Sequence, residues 1–153
     1  MKPLLIELVR HMRWADERVA DALQTPDAPP SALRLFAHIA GAEHVWFSRL
    51  QGRTPEHAVW PELTLDAARQ LATSNADLYQ RLVAEADNGA LSRIVHYRNS
   101  AGKDFESSVT EILTQVMLHG SHHRGQIAQT LRASGLEPPL VDYIVYSRRN
   151  QQG

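Results

Sequence analysis

The chain has 153 residues, a formal net charge of −1, 43% apolar and 22% charged residues, and no cysteine. Such a composition implies an ordinary globular protein with one domain over about residues 1–150, long enough to bury a core unaided. It excludes disulfides and thiolate metal sites. The absence of a Lys/Arg block argues against nucleic acid, and no signal peptide or membrane-length apolar run is present, so a cytoplasmic location is expected.

Leu4, Leu8, Met12, Ala15, Val19 and Leu23 recur at three- and four-residue steps, which predicts a first helix over about residues 3–24. Asp27 to Pro30 break it, and Ser31 is the expected N-cap of a second helix that runs to Leu50. Gly52 to Pro61 is rich in turn formers and reads as a loop. Thr64 opens a third helix with Leu71, Asn75, Leu78 and Leu82 along one stripe, ending near Asn88-Gly89.

Leu91 to Arg98 has a β-branched centre and Asn99 to Lys103 is turn-like, which predicts a short hairpin. Ser108-Val109-Thr110-Glu111 is a capping box, so a fourth helix starts there. It runs to about Ser134, with Gly135 at C′, and Leu140 to Arg149 can form a short last helix after Pro138-Pro139. The fold class expected is all-α: a four-helix bundle with a crossover connection and a β-hairpin before the last long helix. The apolar surface of helix two, including Phe36, Trp46 and Phe47, would suit a homodimer interface or a broad bundle core.

The chemistry concentrates in His119-Gly120-Ser121-His122-His123. His119 and His123 are spaced i, i+4, which puts two imidazoles on one helix face roughly 5–6 Å apart at Cβ. At 100° per residue they fall within the inner face defined by Val109, Ile112, Val116, Ile127 and Leu131, whereas His122 falls off it. Spacing alone leaves two readings, a metal-binding pair or core imidazoles satisfied by polar neighbours. A third ligand could come from helix two as His38 or His44, between which the wheel does not choose. Glu43, inside the apolar arc, could be a ligand, a partner to one, or a dimer contact. His11, His57 and His96 read as surface residues.

Several strings in order resemble the DinB/YfiT-like family, small four-helix bundles proposed to be metalloenzymes (the DinB superfamily). They are Trp14-Ala15-Asp16, His38-Ile39 with Ala42-Glu43 and Trp46, His119 through Gln126, and Asp142-Tyr143. The resemblance implies a His₃ site of His38, His119 and His123, selecting His38 over His44. Zn²⁺ or Ni²⁺ would be the expected ion, with Mn²⁺ or Fe²⁺ tolerated.

Gly120 stands where His-Glu-x-x-His metalloproteases carry their base, so hydrolysis of that type is not expected. Gly120 would leave room for substrate or for close packing, Gly125 has no evident role, and Arg124 and Gln126 could orient an anion or a ligand imidazole, or simply be a solvated Arg and a helix–helix hydrogen bond. The wider superfamily resembles metal-dependent S-transferases and isomerases that use low-molecular-weight bacterial thiols. The leading expectation is therefore a metal- and thiol-dependent S-transferase acting on a small molecule, with no assignable catalytic base. The alternatives are a non-catalytic, stress-associated metal-binding protein and a dimeric helical scaffold.

Overall fold

The computed structural model describes residues 1–149. Its long helices are α1 (Lys2–Ala22), α2 (Pro30–Leu50), α3 (Leu65–Glu85) and α5 (Val109–Ala133). Short helices α4 (Asn88–Ser92) and α6 (Tyr143–Arg148) and a hairpin of β1 (Ile94–Arg98) and β2 (Asp104–Ser108) complete it. The architecture is all-α with the hairpin just before the last long helix, as the periodicity indicates. α1 packs on α3 and α5, and α2 packs on the same two helices. Sequence neighbours α1 and α2 thus stand at opposite corners, and the connections cross the bundle ends.

Local chemistry sets most boundaries. Thr64 caps α3 by accepting from the Ala67 amide at 3.2 Å. Ser108 Oγ accepts from Glu111 N at 3.2 Å while Glu111 Oε2 accepts from Ser108 N at 2.7 Å, the reciprocal box expected for α5. At the other end Gly135 takes φ +75°, and the amides of Gly135 and Leu136 bond back to Arg132 O and Leu131 O at 3.0 Å, a Schellman ending.

Two boundaries differ from expectation. α2 starts at Pro30 with Pro29 as the extended N-cap, because proline is preorganised for the first helical position, and Ser31 lies inside the helix. α3 stops at Glu85, and Asp87 caps α4 by accepting from Ala90 N at 2.7 Å, so Leu91 and Ser92 are helical and the strand begins at Ile94. The hairpin pairs antiparallel with His96 opposite Glu106.

The core is two apolar clusters stacked along the bundle. One gathers Val9, Met12, Tyr79, Val83, Ile112 and Val116; the other Val19, Phe36, Ile39, Ala68, Ile127 and Leu131. Phe36 is fully buried, and Trp46 and Phe47, both half-buried, pack against the first cluster. Among the described residues no helix is long and apolar enough to cross a membrane.

Candidate metal centre

His38 projects from α2, and His119 and His123 project one turn apart from α5, the helix packed against it. Their Nε2 atoms form a triangle with all three sides 3.1 Å. Its centre lies roughly 1.8 Å from each nitrogen, so the spacing of the three atoms suits one ion bound at a zinc–imidazole bond length of about 2.0–2.1 Å.

The tautomers sharpen this. His38 Nδ1 lies 2.8 Å from Val59 O, and a carbonyl only accepts, so the proton sits on Nδ1 and Nε2 presents a lone pair. Gln126 Oε1, 2.6 Å from His123 Nδ1, fixes that ring in the same way. Burial, partly opposed by the Val59 hydrogen bond, lowers the His38 pKa. Burial and then the neighbouring His123 and His38 lower His119 to about 4. His38 and His119 are therefore neutral near pH 7, and the Nε2 atoms of His38 and His123, whose rings donate from Nδ1, are two acceptors in contact. A proton on His119 could serve one contact and not all three. A cation at the centre satisfies the whole set, so the residues present fit a metal ion.

The loop before α3 closes one side. Trp60 lies flat on the His38 ring, centroids 3.6 Å apart and planes 8° from parallel. Gly41 permits this docking: a Cβ there would meet Pro61 Cδ at 2.5 Å and Ala58 O at 2.7 Å. The absent side chain thus lets residues 58–61 settle on α2 and bring Val59 O to His38.

Beneath the histidines lies a buried polar layer between the two apolar clusters, with one residue from each long helix: Asp16, Glu43, Asn75 and Arg124. Arg124 Nη1 donates to Asp16 Oδ1 at 2.8 Å, and Asn75 Nδ2 donates to Ala40 O at 2.9 Å and to Glu43 Oε2 at 3.3 Å. Burial first, and then Asp16, push the Glu43 carboxyl well above its ordinary range, so it keeps its proton. Asp16 Oδ2 and Glu43 Oε1 lack other partners, and a proton shared between these two carboxyls satisfies both.

This layer revises several expectations. Glu43 belongs to the layer and lies outside the converging histidine group. Arg124 is a buried ion-pair partner, neither solvated nor poised for an anion. The space at Gly120 is filled by that guanidinium, whose Nη1 would lie 2.9 Å from an added Cβ. Gly125 has open space around its Cα, and nothing in the structure explains it. Gln126 does orient an imidazole, that of His123.

Elsewhere, His44 anchors the loop by accepting from Glu56 N at 3.0 Å and packs edge-on against the half-buried His57. It lines a cavity of about 820 Å³ between α2 and α3, which none of the triad lines. His122 and His96 are exposed. His11, expected at the surface, is buried: its ring nitrogen meets Val141 O at 2.7 Å, and Tyr143 and Tyr146 pack on it edge-on. The segment leading into α6 folds back over α1, a contact no single-helix wheel can show. Asp16 and Asn75, the partners of Arg124 and Glu43, are each a polar residue within an otherwise apolar stripe, and no single-helix pattern pairs them across the bundle.

A family model described as DinB family matches residues 1–153. The chain belongs to the DinB family. It is similar to Protein DinB of Bacillus subtilis (strain 168), 22% identical over an alignment 163 positions long, gaps included, that covers 95% of each chain. The DinB match spans all four long helices, so the histidine triangle and the polar layer both lie within it.

Proposed function

We propose that this DinB-family protein is a divalent-metal-dependent enzyme in which His38, His119 and His123 hold the ion. In this reading it joins a low-molecular-weight thiol to an electrophilic small molecule: the thiol loses its proton, its sulfur forms a bond to the electrophilic carbon, and the electrophile's leaving group departs with the bonding pair. The observation that carries it is the triangle of Nε2 atoms, 3.1 Å on each side, two of which present lone pairs because their rings donate from Nδ1. A bound ion would supply Lewis acidity at an open position and favour a thiol as its thiolate. Neutral nitrogen donors favour Zn²⁺ or Ni²⁺ over Mn²⁺ or Fe²⁺ by the general affinity order.

The chain's own part is orientation. Val59 O and Gln126 Oε1 hold two rings with their lone pairs inward, and Trp60 keeps water from the His38 face. The helix carries Gly120 next to His119, so no carboxylate base adjoins the first histidine.

The test is a transfer assay with metal-loaded protein, several bacterial thiols and a chromogenic electrophile. Turnover that disappears on chelation and returns with Zn²⁺ or Ni²⁺ is expected. Full metal occupancy with no turnover for any thiol would instead favour a non-catalytic metal-binding role.

A further inference from the structure

Among the described residues, no acidic side chain hydrogen-bonds any of the three histidines. His38 and His123 donate from Nδ1 to neutral oxygens, Val59 O and Gln126 Oε1. The buried carboxyl groups nearby are committed to Arg124, Asn75 and each other. A divalent ion held by three neutral imidazoles keeps its full charge, so any neutralising charge must arrive with the ligand.

A cationic side chain stands beside this site. Trp60, stacked on His38, leaves 47% of its surface exposed. Arg34, one turn before His38 on α2, holds its guanidinium carbon 5.5 Å from the centre of the indole ring. That is within cation–π range, and stacking of this kind positions the planar group while leaving its N–H edge available. Arg34 is exposed, and none of the ion pairs among the described residues uses it. The indole therefore links a free guanidinium to the histidine on which it lies, within the span of a small molecule.

We propose that Arg34 and Trp60 form the part of the site that reads the ligand. The molecule bound at the triad carries a carboxylate besides the atom that meets the ion; Arg34 pairs with that carboxylate, and Trp60 is the wall it lies against. The substrate class is thus an anionic, carboxylate-bearing thiol or its acceptor. This inference rests on the metal-centre reading above.

Co²⁺-loaded protein tests it by spectroscopy, without turnover. The visible spectrum is followed during titration with 3-mercaptopropionate and, separately, with its methyl ester, two thiols that differ in charge at one end. The acid is expected to bind about 10-fold more tightly than the ester, the scale of one charge-assisted hydrogen-bonded pair. Arg34→Gln should bring the two within about 2-fold by weakening the acid alone, and Arg34→Lys should restore part of the difference. Ester affinity and Co²⁺ content should be unchanged in both variants. Equal binding of acid and ester by the unaltered protein, or a preference that survives Arg34→Gln, overturns the role of Arg34 and leaves the metal centre standing. A Co²⁺ spectrum unaffected by His119→Ala removes the metal centre, and this inference with it.

Discussion

Arg124 and Asp16 meet at 2.8 Å in the middle of the bundle, with both side chains closed off from solvent. The pair joins α5 to α1, the helices flanking α2 and α3, and Arg124 directly follows the histidine at position 123. An ion pair so placed costs desolvation on both sides and adds little net stability, but sliding α1 against α5 would break it and leave both charges buried and unpaired.

Removing one member should therefore be severe. Asp16→Ala leaves the Arg124 guanidinium buried and unpaired and should lower unfolding stability by about 3–5 kcal/mol. Urea denaturation measures this directly. A loss below about 1 kcal/mol would show that water or another group takes over the guanidinium.

Glu43 gives the layer a pH signature. Its folded-state pKa is raised above the ordinary 4.5, first by burial and then by Asp16. The unfolded chain releases that proton above pH 4.5 while the folded chain keeps it, so this group's contribution is present below 4.5 and declines as pH rises. Glu43→Gln keeps a donor for Asp16 and an acceptor for Asn75 without a titrating proton. The variant should gain on the unaltered protein as pH rises from 5 to 8, at about 1.4 kcal/mol per pH unit over the range in which folded Glu43 keeps its proton. An equal stability difference at both values would place the raised pKa elsewhere.

Gly41→Ala touches neither a histidine nor the polar layer, but its methyl would meet Pro61 and Ala58 O. The loop must then lift, taking Val59 O from His38 and loosening the Trp60 stack. Zinc affinity should fall about 10-fold, the lower end of the effect of losing a hydrogen-bond partner behind a ligand histidine. Competition with a chromogenic chelator gives the value, and unchanged affinity would mean the loop does not hold the ring.

Gln126→Leu tests the matching contact on α5. It removes the oxygen 2.6 Å from His123 Nδ1 and should weaken zinc binding about 10–100-fold. Thermal unfolding of the metal-free protein should change little, because Gln126 is only half-buried.

The bundle, the hairpin and the ends of α5 were legible in the sequence because their signals are local. Ser108 and Glu111 lie three residues apart, Gly135 directly follows its helix, and the apolar stripes repeat every turn. The pairing of His119 with His123 was legible for the same reason. The choice of His38 over His44 was not visible on the wheel of α2 and came with the family resemblance; geometrically, His44 is occupied by Glu56 N. The polar layer was hidden because its four members lie on four different helices, each looking like a flaw in an apolar stripe. His11 was misread for a related reason: its cover comes from Val141 and α6, 130 residues along the chain.

Zinc content per chain after reconstitution and gel filtration tests the metal centre most directly. The unaltered protein should carry about one ion per chain, and His38→Ala, His119→Ala and His123→Ala should each retain almost none, since a catalytic-type site rests on three protein ligands. His44→Ala and His122→Ala should retain it in full. Stoichiometric zinc in any of the first three variants, or no zinc in the unaltered protein, would contradict the His₃ centre.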